Sequence, residues 1–181
     1  MISFCKELLQ CFLCWRVSFA TEEFIKKAQV VITFSFGERD ETKLYCRSNV
    51  FLAHITEFIF KEYQIPVISQ GEIVNLVTGG IIFKIEHARI SEKYLDTYEV
   101  AIQAYELCRQ YGFNNVLVVA HPHHIWRCKK ALQKFGLSVY AIDTNACPYD
   151  KLSNQIWTRS AWIFIPREFL TRIIYLFQKK I

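Results

Sequence analysis

Apolar and polar positions fall into alternating blocks along this chain, and the sharpest boundary lies within residues 116–127, VLVVAHPHHIWR. Residues 116–120 are apolar and mostly β-branched, the pattern of a strand buried on both faces. They run into His121-Pro122-His123-His124, after which Ile125, Cys128, Leu132 and Phe135 recur at the three- and four-residue spacing of a helix. Three of the five histidines therefore sit where a buried strand gives way to a helix, the edge at which open α/β folds bind ligands.

The same alternation recurs elsewhere. Residues 29–36 read as a first core strand broken at Gly37, and 48–63 as a largely buried helix in which His54 is a core or boundary histidine. Residues 65–69 form a short strand ending at Gln70-Gly71-Glu72. A short helix over 73–78, closed by Gly79-Gly80, leads to a further strand over 81–85. Residues 91–111 are helical, with Asp96 and Glu99 at capping-box spacing and Gly112 as the stop. Residues 137–142 form another strand, ending in Asp143. The pattern predicts a last helix beginning at Pro166, with Phe169, Leu170, Ile173, Ile174 and Phe177 as its buried stripe. Strands separated by helices predict an α/β fold, a three-layer sandwich around a mainly parallel, Rossmann-like sheet. Its strand ends would gather Gly37, Gln70, Gly71, Glu72, His121, His123, His124 and Asp143 on one rim.

With 181 residues, 52% of them hydrophobic, the chain suits one α/β domain over 29–181, with residues 1–28 as an N-terminal helix packed on it. The apolar N-terminus is interrupted by Lys6, Glu7, Gln10 and Arg16, far short of the roughly 20 residues a membrane span needs. Neither a transmembrane segment nor a secretory signal is expected. The seven cysteines are an odd number without a framework, which fits reduced thiols in the cytoplasm. Cys11 and Cys14 have CxxC spacing but lie in an apolar run without a second pair.

The net charge of +5 resides in residues 91–181, with twelve basic and seven acidic groups, while residues 1–90 balance at ten of each. A small anionic partner suits that asymmetry, and so does a merely solvated basic face. Nucleic acid does not fit, because the basic residues are not interleaved with a binding motif. No dinucleotide fingerprint, P-loop or nucleophile elbow occurs, which disfavours ordinary dehydrogenases, kinases and serine hydrolases.

His124 and Arg127 share one face at a helix start, where backbone N–H groups and a guanidinium favour an anion. His124 is the candidate general acid or base. Glu72, the other candidate catalytic group, or Asp96 would orient it. Ligand-binding candidates are Gly37, Gln70, Gly71, His121, His123, Arg127 and Asp143. Asp96 and Glu99 would alternatively cap their helix. A metal is the rival use of His121, His123 and His124 with Cys128, although adjacent histidines point apart and no metalloprotease spacing occurs.

The chain resembles the YdcF/SanA/ElyC family, a domain of unknown function, over about residues 29–177. The likeness rests on the first strand ending in Gly37, on Tyr94-Leu95-Asp96-Thr97-Tyr98-Glu99 opening a helix, on VVAHPHHIWR, and on Arg167-Glu168 before the last helix. It implies a Rossmann-like fold, a pocket at the strand carboxyl ends, and pocket roles for Gly37, Thr97, Glu99, His124 and Arg127. S-adenosylmethionine is the cofactor it brings into view, since that ligand is associated with YdcF-like members. Family members are also linked to envelope processes. Three functions follow as expectations: a pocket for an anionic or nucleotide-like ligand, with transfer or hydrolysis as its chemistry; a non-catalytic binding or envelope-regulatory module using a basic surface; and a metal-assisted hydrolase.

Overall fold

The structure, a computed structural model, describes residue 9 and residues 17–39, 45–79, 81–91 and 94–181. The N-terminal helix expected over 1–28 lies mostly outside them, as do Cys11 and Cys14; within that stretch a short helix, α1, spans Glu22–Lys27. Strands β1 (Val30–Thr33), β2 (Val67–Gln70), β3 (Ile81–Ile85), β4 (Asn115–Val119) and β5 (Ser138–Ala141) form one sheet of order β3-β2-β1-β4-β5. Every pairing is parallel. The remaining helices are α2 (Arg47–Tyr63), α3 (Gly71–Val74), α4 (Thr97–Tyr111), α5 (Ile125–Gln133) and α6 (Ala161–Phe177). This is the expected α/β sandwich.

Central strands carry side chains to two cores. Val30 and Ile32 pack with Val100, Ala104 and Cys108 of α4 and with Cys128 and Leu132 of α5. Val31 packs on the other face with Leu52 and Ile59 of α2 and Phe164 of α6. Burial on both faces is why β1 and β4 read as unbroken apolar runs rather than alternating ones. Cys108 and Cys128 are fully buried among these aliphatics, where a thiol serves as a small hydrophobe.

Successive strands β1, β2 and β3 step one way across the sheet, and β4 then returns to the other side of β1. The chain thus diverges between the carboxyl ends of β1 and β4, the crevice where open sheets of this kind bind ligands.

Several boundaries differ from the sequence pattern: the helix expected over 91–111 starts only at Thr97, and the short helix expected over 73–78 spans Gly71–Val74. Strand β1 ends at Thr33 rather than continuing to Phe36, because side chains replace the ladder there. Gln70 Oε1 accepts from the Ser35 N–H at 2.9 Å, and Asn49 Oδ1 accepts from the Phe36 N–H at 2.7 Å. Helix α6 starts at Ala161, not at Pro166, which lies inside it. Its buried face is also not the expected stripe. Phe164, Glu168, Arg172, Tyr175 and Leu176 face inward, while Leu170, Ile174 and Phe177 are exposed. Apolar periodicity picked the wrong face because the inward face carries two charged residues that neutralise each other.

Candidate functional site

Helix α4 opens with Asp96 as N-cap, whose carboxylate accepts from the Glu99 N–H at 2.8 Å. That cap places Thr97 at the first helical position, facing α5. Strand β4 ends at Val119. The turn that follows closes with the N–H groups of His124 and Ile125 bonding to the His121 carbonyl at 2.8 and 2.9 Å, which sets His124 and Arg127 at the head of α5. Opposite them stands the inward face of α6.

Glu168, fully buried, is the hub of this contact. Its carboxylate accepts from Arg127 Nε at 3.0 and 3.1 Å, from Arg127 Nη2 at 2.8 Å, and from Arg172 Nε at 3.1 Å. Burial raises its carboxyl, but the Arg127 charge, with His124 beside it, outweighs that and holds it down at about 2. Arg127 Nη1 reaches Thr97 Oγ1 at 2.8 Å, and Arg127 Nη2 donates to His124 Nδ1 at 3.2 Å. A guanidinium only donates, so His124 Nδ1 is an acceptor and its proton sits on Nε2, 3.3 Å from Thr97 Oγ1. Thr97 Oγ1 therefore accepts twice and keeps its own hydrogen to offer outward. Burial and the adjoining Arg127 push His124 down to about 4. The imidazole is neutral at physiological pH with both nitrogens engaged. It stands 3.3 Å from Thr97 Oγ1 through Nε2 and so positions that hydroxyl.

A cavity of about 390 Å3 opens beside this network. Its lining includes the predicted Gly37, Gln70, Glu72, Thr97, His124 and Arg127, and adds Tyr94, Gln155, Trp157 and Arg167. Gly71 lines an adjoining cleft, which shares Glu38, Glu72 and Glu86 with the first. Burial raises the Glu72 carboxyl, and the Glu38 and Glu86 charges add to the effect. Glu72 does not orient His124; Arg127 does, with Nη2 3.2 Å from Nδ1.

Four candidates lie away from the cavity. His121 stacks on Phe36 with centroids 3.8 Å apart and is wholly buried, and burial pushes it down to about 2. His123 turns to the Tyr149 hydroxyl at 2.7 Å. Glu99 is claimed by Arg89, at 2.8 Å, which holds its carboxyl at about 2. Asp143 is exposed and accepts from the Asn145 N–H at 2.9 Å, shaping its own turn. Adjacent residues in a turn project in different directions, so the histidine cluster disperses. Among the described residues no three His, Cys, Asp or Glu side chains converge as a metal site.

Arg167 and Glu168 are what reasoning from the sequence placed elsewhere. Arg167 stacks over the Trp157 ring at 4.3 Å and has no carboxylate partner among the described residues. The one signal was the pair Arg167-Glu168 itself. A Glu between two arginines at 167 and 172 in an otherwise apolar helix marks a buried charge cluster.

The loop after β1 is held to the segment after β5. Gly37 adopts φ +84°, and a Cβ there would lie 2.8 Å from Thr158 Oγ1 and 2.9 Å from Ser153 Oγ. Arg39 pairs with the buried Asp150 at 2.8 Å. These contacts fix one wall of the cavity.

No family model, curated protein or solved structure matches the chain.

Proposed function

We propose that the chain is a small-molecule-binding α/β protein of the YdcF type, whose cavity between the ends of β1 and β4 holds the anionic group of a nucleotide-like ligand. The observation that carries this reading is Arg167. Its guanidinium lines the cavity, half-buried and without a carboxylate partner among the described residues, while the neighbouring Arg127 is already bonded to Glu168. Burial and the Arg127 charge both act against its ionisation, so an incoming anion relieves an electrostatic cost already present. The Thr97 hydroxyl adds a directed hydrogen-bond donor. An arginine and a hydroxyl suit a phosphate or carboxylate, and the topological switch point is where such ligands sit in related architectures.

The site favours binding over acid–base chemistry, because its histidine is neutral and doubly engaged. No helix among the described residues is long and apolar enough to cross a membrane. Four buried cysteines are free thiols, which supports a reducing, cytoplasmic setting for this binding activity. A thermal-shift screen of nucleotides, S-adenosylmethionine and phosphorylated sugars tests the proposal. A ligand at one hundred times its Kd should add about 2.7 kcal/mol of stability. A flat response across the screen, or a response unchanged in Arg167→Gln, would overturn it.

A further inference from the structure

The outer face of α6 carries no charge. The charged residues of this helix, Arg167, Glu168 and Arg172, turn to the cavity or to the buried network. Trp162, Ile163, Leu170 and Ile174 point the other way and are exposed, Trp162 at 91%. Ile163, Leu170 and Ile174 recur at intervals of seven and four residues, which makes one stripe down the helix. A contiguous apolar surface of this kind marks a place that another element covers.

The chain itself supplies a matching element. Val17 packs against Trp126 and Leu176, so residues 1–16 join the domain at the carboxyl end of α6. Wound as a helix, that segment is about 24 Å long, close to the roughly 26 Å of α6. Phe4, Leu8, Cys11 and Trp15 then form one apolar stripe, with Lys6 and Gln10 opposite. Leu9 falls off that stripe, and it is exposed. The join at Leu176 brings Trp15 beside Ile174. Cys11 then meets Leu170 and Phe4 meets Ile163, because the two stripes share one spacing. A segment tethered this closely has an effective concentration on the order of millimolar, which a second copy at micromolar concentration does not match. We infer that the outer face of α6 seats the chain's own residues 1–16, laid parallel to it as an amphipathic helix.

Photo-crosslinking of the full chain carrying Leu170→p-benzoylphenylalanine tests this. Irradiation is expected to give a product of monomer mass, in which trypsin digestion finds peptide 168–172 joined to peptide 7–16. A product of twice that mass would put a second copy on the face and overturn the inference. So would loss of the 7–16 adduct to added phosphatidylglycerol vesicles, or no adduct at all. Ile174→Asp gives an independent reading, which decides the matter should the crosslinking variant lose its folded circular-dichroism spectrum. With its own spectrum unchanged, it is expected to speed trypsin cleavage after Arg16 by about tenfold or more. Equal cleavage rates in Ile174→Asp and wild type would overturn the docking.

Discussion

Replacing Glu168 with glutamine is the sharpest perturbation of the network that builds the site. The substitution keeps the side-chain volume and one acceptor oxygen, and removes the negative charge to which both Arg127 and Arg172 bond. Both arginines are at most 5% exposed, so water cannot take the carboxylate's place. Breaking a buried pair from one side typically costs about 3–5 kcal/mol, since an uncompensated charge stays behind. For a chain of this size that corresponds to a melting temperature lower by roughly 6–20 °C. Urea unfolding at neutral pH, followed by circular dichroism and extrapolated linearly, measures the loss. A double-mutant cycle with Arg127→Met and Glu168→Leu should return a coupling above about 1 kcal/mol. A loss below about 1 kcal/mol for Glu168→Gln, the size expected of an exposed pair, would refute the argument that this network is dry and structural.

The other expectations are narrower. His124 is held at about 4 and His121 at about 2, against an ordinary 6.5, so the unfolded chain takes up their protons first as the pH falls. Their contribution to stability is complete above pH 6.5 and is lost as the pH drops toward about 4, at up to about 1.4 kcal/mol per pH unit for each histidine. His124→Asn should make the fall of the urea midpoint with pH visibly shallower; an unchanged slope would show that His124 ionises normally. Gly37→Ala forces a side chain into left-handed backbone against Thr158 and Ser153, and should cost about 1–3 kcal/mol in the same unfolding assay. Arg167→Gln should weaken binding of inorganic pyrophosphate about 10- to 100-fold by calorimetry, with little change in melting temperature. Glu99→Gln should leave that affinity within about twofold, because its partner Arg89 stands at an exposed surface.

The fold was legible because its strands are hydrophobic on both faces and its breaks are chemically marked. Gly112 takes a left-handed C-cap after α4, and Asp96 caps its start as the capping-box spacing indicates. The site was legible only as far as backbone position determines it. Gly37, Gln70, Glu72, His124 and Arg127 follow from where strands end and helices begin, while Thr97 came into view only through the family resemblance. What α6 brings was not, because a buried Glu–Arg network has the polarity of a surface and the geometry of a core. Periodicity assigned Leu170 and Ile174 to the interior, and they are 59% and 51% exposed. The histidine run misled for a related reason. Neighbours in a turn diverge, so His121 went to the aromatic core against Phe36 and His123 to Tyr149, and only His124 stayed at the cavity.

The central claim is that an unpaired guanidinium and a free hydroxyl proton at the switch point of the sheet bind an anion. An anomalous-difference map from crystals soaked in tungstate, a heavy stand-in for phosphate, tests it most directly. The account requires a peak within about 4 Å of both the Arg167 guanidinium and Thr97 Oγ1, absent from Arg167→Gln crystals. Tungstate bound only at surface lysines, with the cavity beside Arg167 unoccupied, would contradict it.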